Sequence, residues 1–180
     1  MGSHQAGKKT IEPVQFRTAE TWQDAVDLSR MARLIWYEHY TPIIGADQVD
    51  YMLGQFQSAV SIWKAFTDEN TVYVQVFSGG APAGYLACRP DPVLKKMFIS
   101  KFYLLASFRG RGLARYMLGH VNHMSAKQNL NLIWLTVNVN NHQSIQAYLK
   151  MGFVIKGKCL QEIGAGYVMD DYIMEKQMSK

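Results

Sequence analysis

Cysteine is scarce in this chain: 180 residues contain two, Cys88 and Cys159. They stand in no metal-binding spacing, and two cannot build a disulfide framework. That excludes a Cys-based zinc module and a stapled secreted fold, and sets the expectation of a reducing, cytoplasmic compartment. Long apolar runs are also missing. None approaches the roughly 20 residues needed to cross a bilayer, so no membrane partner is expected. Met1 to Thr10 lacks the apolar centre of a secretion signal. It reads as a flexible leader, partly of cloning origin, ahead of a single domain over residues 11–180. Charged residues make up only 18% and hydrophobic ones 48%, the balance of a globular protein and not of a disordered one. The net charge of +5 suits an anionic ligand. Lys and Arg are scattered, with no basic segment interleaved with aromatics, so nucleic acid is not an expected partner.

What is present reads as alternating elements. Val14 to Arg17 is a short strand. Thr21 with Asp24 three residues on makes a capping-box start for a helix. Its apolar face runs over Trp22, Val26, Ser29 and Ala32, with Leu28, Met31 and Ile35, as far as about Trp36. Thr41-Pro42 ends it, and Asp47 is the expected cap of a second helix carrying Val49, Met52, Leu53 and Phe56. Val60 to Phe66 is left open between helix and loop. Thr71 to Phe77 and Ala83 to Arg89 are the strands of a hairpin around Gly79-Gly80, and Pro90-Asp91-Pro92 breaks the pattern. A strand over Met97 to Leu105 leads into a glycine turn and a helix reaching about Ala126. Leu130 to Val139 is a buried strand, and Ser144 to Met151 a short helix stopped by Gly152. Phe153 to Leu160 and Tyr167 to Glu175 close the chain as strands. The order is that of a mixed α/β (α+β) domain. Met97 to Val139 forms a strand–helix–strand unit long enough for a right-handed parallel crossover.

The chemistry concentrates at Arg109-Gly110-Arg111-Gly112-Leu113-Ala114. Two glycines between a strand and a helix let the backbone approach a ligand closely. The helix start offers unpaired N–H groups and the positive end of the dipole, which together hold phosphate. The third glycine of a dinucleotide turn is missing, and so is the Gly-Lys-Ser/Thr of a P-loop. R-x-x-G-x-A is satisfied by Arg109, Gly112 and Ala114. Downstream, Asn141, Tyr148, Lys150, Gly152 and Phe153 form a second motif, Asn to Tyr and then Lys-x-Gly-Phe, on the expected elements. His120 and His123 sit three apart on one helix without a third ligand, so no metal is expected.

These two motifs, in this order, resemble the GNAT acetyltransferase superfamily. The similarity extends over about Val14 to Lys176 and is strongest from Phe102 to Phe153. Ser144 departs mildly from the family's usual alanine. The resemblance implies a mostly antiparallel sheet of about seven strands with a central splayed parallel pair, flanked by helices. It implies direct acetyl transfer from acetyl-CoA to a primary amine. The pyrophosphate falls to Arg109, Gly110, Arg111, Gly112, Leu113 and Ala114, and backbone groups near Tyr103, Leu104 and Leu105 to the pantetheine arm and the thioester carbonyl. Asn141 also falls to the pantetheine arm, and Ser144 is counted with it on the cofactor side. Tyr148 is the implied general acid for the departing thiolate.

The general base stays open. Many family members carry a glutamate on the strand corresponding to Met97 to Leu105, where this chain has no acid and one lysine, Lys101. The alternatives are a water chain, Glu38, His39 or Asp170. The acceptor site is expected at Trp36, Glu38, His39, Tyr40, Asp170 and Tyr172, with Asp47, Asp50 or Asp171 as further partners for a cationic amine. Thr41 to Leu53 looks like bacterial diamine and spermidine acetyltransferases, so the expected acceptor is a small amine such as a polyamine. A protein N-terminal or lysine acetyltransferase is the enzyme alternative, and a non-catalytic acetyl-CoA sensor the alternative of another class. A homodimer is a further expectation from the family.

Overall fold

The computed structural model describes residues 12–178, so the leader expected over Met1 to Thr10 lies outside the described residues. Seven strands form one sheet, in the order β1-β2-β3-β4-β5-β7-β6. They are β1 Val14–Thr18, β2 Val72–Ser78, β3 Ala81–Asp91, β4 Lys96–Leu104, β5 Leu132–Asn138, β6 Val154–Gly164 and β7 Tyr167–Gln177. Every neighbouring pair is antiparallel except β4 with β5. The helices are α1 Trp22–His39, α2 Thr41–Ile44, α3 Ala46–Phe56, α4 Ala59–Thr67, α5 Leu113–Lys127 and α6 His142–Lys150.

Alternation along the strands makes two cores. Tyr73, Tyr85 and Ala87 face one way and pack with Ala25, Leu28, Ala32, Ile35 and Trp36 of α1, Val49, Met52 and Leu53 of α3 and Ile62 of α4. Val74, Leu86, Met97, Ile133 and Leu135 face the other way, against Met117 and Val121 of α5 and Ile145 of α6. Burying one such Leu or Ile stabilises the fold by about 1.5–3 kcal/mol. No described helix is long and apolar enough to cross a membrane.

The capping box forms as expected: Thr21 Oγ1 accepts from the Asp24 N–H at 3.1 Å, and Asp24 Oδ2 accepts from the Thr21 N–H at 3.0 Å. Burial would raise the Asp24 carboxyl, but the Thr21 hydroxyl, the Glu20 and Thr21 N–H groups and the Arg17 charge outweigh it and hold it low. Three local expectations are corrected and one open choice is decided. The apolar face of α1 is Ala25, Leu28, Ala32 and Ile35; Trp22 lies largely in solvent, edge-on to Trp63. Asp47 sits in the first turn of α3 and does not cap it; Gly45, at φ +85°, is the cap residue. Val60 to Phe66 is helical, with Ser58 as its cap. Pro90-Asp91 does not break β3, because the strand pairs on to Asp91 with Lys96. The β2 pairing ends at Cys88, so Pro90 withdraws no N–H from a neighbour.

Candidate active site

β4 and β5 pair from Lys96/Leu132 only as far as Ile99/Leu135, although β4 continues to Leu104 and β5 to Asn138. The two strands therefore splay. At the same level β4 carries a bulge against β3: Ala87 pairs with Lys101 and Cys88 with Ile99, leaving Ser100 extra. A bulge bends its strand and re-aims the residues after it, which here turns β4 away from β5. Gly84 completes the arrangement. A Cβ there would collide with the Tyr103 carbonyl oxygen, so only glycine lets β3 follow the bent strand so closely.

The pairing also settles which backbone groups face the gap. The Leu105 N–H donates to the Ala83 carbonyl at 2.9 Å, so Gly84/Leu104 is a non-hydrogen-bonded pair. By alternation, Phe102 and Leu104 direct their N–H groups away from β3 into the gap, where β5 offers no partner. The expected stretch Tyr103 to Leu105 is thus corrected to Phe102 and Leu104. The Tyr103 ring lies instead on the α1 side, near the rings of Trp36, Tyr40 and Tyr85.

At the end of β4 the chain makes a short 3-10 turn, Ala106–Phe108, and reaches the glycine pair. Gly110 and Gly112 have φ of +70° and +84°, and a Cβ on either would meet nothing within 4 Å. Packing within the protein therefore does not require glycine here; backbone conformation and an open approach do. Gly112 caps α5 without any side-chain hydrogen bond, and its carbonyl accepts from the Arg115 N–H at 3.0 Å, which leaves the Leu113 and Ala114 N–H groups for a ligand. Arg109 is already engaged. Its Nη1 and Nη2 donate to the two Glu38 carboxylate oxygens at 2.9 and 2.8 Å, and its Nε donates to the Leu104 carbonyl at 3.0 Å. It ties the turn to α1 and β4, and Glu38 neutralises its charge. Arg111 is exposed over the Phe108 ring.

A cavity of about 460 Å³ lies at the splay, lined by residues from both faces of the sheet. On the α5/α6 side it is lined by Leu104, Gly110, Gly112, Leu113, Ala114, Ser144, Ala147 and Tyr148. Asn141 sits at the junction. Its Oδ1 accepts from the Ser144 N–H at 3.3 Å, capping α6, and lies 3.2 Å from His39 Nε2. An oxygen that already accepts from Ser144 makes His39 Nε2 the donor. Burial and then the Arg109 charge lower the His39 pKa, so the ring is neutral at pH 7, with Nδ1 left as an acceptor. Asn141 Nδ2 is buried with no partner among the described residues. The Tyr148 ring packs near Phe102 and Phe153, and burial raises its hydroxyl far above an ordinary phenol.

On the α1/α3 side the wall contains Trp36, His39, Tyr40, Lys101, Tyr103 and Asp171. Burial pushes Tyr40 up to about 12, with Tyr103 and Asn141 beside its hydroxyl. Burial lowers Lys101 to about 8. Burial also raises the Asp171 carboxyl, against a hydrogen bond from Thr136, and its Oδ1 has no partner among the described residues.

The cavity gathers Tyr148, Tyr103, Leu104, Arg109, Gly110, Gly112, Leu113, Ala114, Asn141, Ser144, Trp36, His39 and Tyr40 from the residues singled out in the sequence. It does not gather Leu105, whose N–H is spent on β3, or Arg111. Glu38 is taken by Arg109 outside the wall. Asp170 and Tyr172 are corrected as well: on β7 the residues facing the cavity are Met169 and Asp171, while Tyr172 packs with Met174 in the opposite core and under Lys158. Asp50 is bonded to the Tyr37 hydroxyl, and both are exposed. Lys101 and Phe102 had been given no role; a charged residue inside an otherwise apolar strand was the available signal for the first. His120 stacks on Phe16, and no group of three metal-ligating side chains occurs among the described residues.

An open glycine turn at a helix start, an orphaned Asn141 amide and two unpaired strand N–H groups match a ligand with a pyrophosphate and a long amide-bearing arm. The comparisons with known proteins agree. The acetyltransferase (GNAT) family model matches residues 28–153. An uncharacterized N-acetyltransferase of Mycobacterium tuberculosis is 25% identical over 86% of this chain and 98% of its own length. The PaiA N-acetyltransferase of Thermoplasma acidophilum in complex with coenzyme A superposes with a TM-score of 0.73 at 18% identity, covering 92% of this chain and 99% of that one. The spermidine N-acetyltransferase of Vibrio cholerae in complex with CoA and spermine gives a TM-score of 0.66 at 19% identity, covering 93% and 96%. The chain belongs to the GNAT family and is an N-acetyltransferase that uses acetyl-CoA.

Proposed function

We propose that the chain acetylates a small primary amine, with acetyl-CoA entering through the gap from the α5/α6 side and the amine from the α1/α3 side. The observation that carries this reading is one cavity at the β4/β5 splay whose lining comes from both faces of the sheet. Its volume suits a small acceptor with the end of a cofactor arm, not a folded protein surface.

Acetyl-CoA supplies an acyl thioester, which a neutral amine converts to an amide and a free thiol. The N–H groups of Gly112 to Ala114 hold the pyrophosphate, with the α5 dipole behind them. Asn141 Nδ2 donates to a carbonyl of the pantetheine arm. The Phe102 N–H points where negative charge develops on the thioester oxygen; one such donor is worth about 10²–10³ in turnover. Tyr148 keeps its proton at neutral pH and presents it at Oη to the departing sulfur. Asp171 binds the incoming ammonium through Oδ1 and takes one proton, its raised pKa suiting it better to that transfer than an ordinary carboxylate. The second proton, shed as the nitrogen becomes an amide, replaces the one Tyr148 gives to sulfur. Asp171 is the one carboxylate on the cavity wall, which also carries Lys101. That charge pattern supports a small amine more than the polycation expected from Thr41 to Leu53.

The test is amine-dependent release of CoA thiol, screened over polyamines, amino acids, aminoglycosides and short peptides. Turnover with a small amine supports the reading. Transfer only to peptides would move the acceptor to protein termini or lysines, and tight CoA binding without release for any amine would overturn the catalytic role.

A further inference from the structure

Lys101 is the charged group that the cofactor and amine sites leave unexplained. It follows the Ser100 bulge and precedes Phe102, whose N–H faces the gap. Alternation puts its side chain with that of Tyr103, on the α1/α3 face, beside the point where amine and thioester meet. Lys101 lines the main cavity and an adjoining hollow bordered by Phe56, Phe98 and Ser100. Lys64, Glu69 and Arg89 border that hollow too, yet Lys101 forms no ion pair with any described residue. Burial brings it down to about 8, so it still carries its proton at pH 7 for most of the time.

The remaining charges on the wall sharpen the point. Arg109 is cancelled by Glu38. That leaves a cation on β4 and a carboxylate on β7, Lys101 and Asp171, with β5 between them. Paired strands stand about 4.8 Å apart, and β4 has already left β5 at Lys101, so the two sites lie more than about 10 Å apart at the backbone, less the reach of their side chains. A half-buried cation without a counter-charge is poorly compensated, and a ligand that brings one is favoured there. A diamine would set a second ammonium against Lys101, which disfavours it by about tenfold or more at a few ångströms.

We propose that the acceptor carries an anionic group, a carboxylate or its equivalent, a few bonds from its amine, and that Lys101 binds that group while Asp171 binds the amine. This narrows the small-amine reading above and rests on it for the acceptor's entry into this cavity. Substrate choice thereby becomes a matter of charge pattern: one minus site and one plus site select a zwitterion over a polycation.

The experiment compares hexylamine, 1,6-diaminohexane and 6-aminohexanoate, with three- to five-carbon homologues, as acceptors for the wild type, Lys101→Met and Lys101→Gln. The wild type should favour the amino acid over the plain amine by at least about tenfold in kcat/KM, with the diamine lowest, and both variants should reduce that ratio to near one. A wild-type preference for diamines, or an amino-acid preference that survives in both variants, overturns the proposal. A second readout needs no turnover. Lys101 labelling by an amine-reactive reagent is followed by peptide mass spectrometry with the N-acetylated products as ligands. N-acetyl-6-aminohexanoate should protect Lys101 and N-hexylacetamide should not. Protection without acetyl transfer to any amine refutes the acetylation reading and leaves the anion site standing. Equal protection by both ligands, or by neither, refutes the anion site.

Discussion

Gly112→Ala separates a phosphate cradle from a mere connecting turn. Gly112 has φ +84°, so an alanine there adopts a left-handed conformation that costs about 1–2 kcal/mol. Nothing lies within 4 Å of the new Cβ, so no packing clash adds to that cost. For a chain of this size the expected fall in Tm is about 2–8 °C. The cofactor pays more. The methyl group occupies the side from which a phosphate must reach the first-turn N–H groups of α5. Two charge-assisted hydrogen bonds lost or lengthened amount to about 2–4 kcal/mol, roughly 30- to 1,000-fold in the Kd for CoA. Calorimetric titration with CoA and thermal unfolding measure the two effects separately. Gly157→Ala is the control, because its Cβ also meets nothing but its backbone lies outside the left-handed region, so both values should stay near wild type. A variant at Gly112 with the expected Tm loss and a Kd within threefold of wild type would refute the cradle.

Three further outcomes follow from the same structure. Tyr148→Phe should lower kcat by about 10²–10⁴ while the Kd for CoA stays within threefold, read by thiol release and by titration. Asp171→Asn should raise the acceptor KM and lower kcat without changing CoA affinity. It should also stabilise the fold above about pH 4: the Asp171 carboxyl is raised by burial, so ionising it costs stability as pH rises past its unfolded value, and the amide carries no such cost. Asp24→Ala should cost about 2–3 kcal/mol in urea unfolding, since it removes the carboxylate half of the capping box and leaves Gln75 Nε2 without the partner it holds at 3.2 Å. The Asp24 carboxyl is held low in the folded state, so its stabilisation is present above about pH 4 and fades as pH falls through its folded value. The variant and the wild type should therefore converge in strong acid.

The parts of this site that were legible in the sequence are those written as local backbone requirements. The glycine turn had to combine positive φ with an open approach, and Asn141 had to cap a helix whose end Gly152 stops; both are properties of a few consecutive residues. The parts that were not legible depend on strand parity or on distant partners. One extra residue, Ser100, decides that Phe102 and Leu104, and not Tyr103 and Leu105, turn their N–H groups into the gap. The choice between Asp170 and Asp171 is the same problem on β7: Met174 and Tyr172 share the α5/α6 face, so Asp171 takes the other, but only the assembled sheet shows which face of β7 borders the cavity. Arg109 read as a phosphate ligand because Glu38 lies 71 positions earlier and no local pattern announces their bidentate pair. Lys101 was visible as a misfit in a strand, yet its lack of an ion pair is a fact of the tertiary structure.

A crystal structure of the protein with CoA bound tests the central claim most directly. The account predicts the pyrophosphate on the N–H groups of Gly112 to Ala114, the arm running between β4 and β5 past Asn141, and the sulfur within about 3.5 Å of Tyr148 Oη. A cofactor seated outside the β4/β5 gap, or a sulfur remote from both Phe102 and Tyr148, would contradict it.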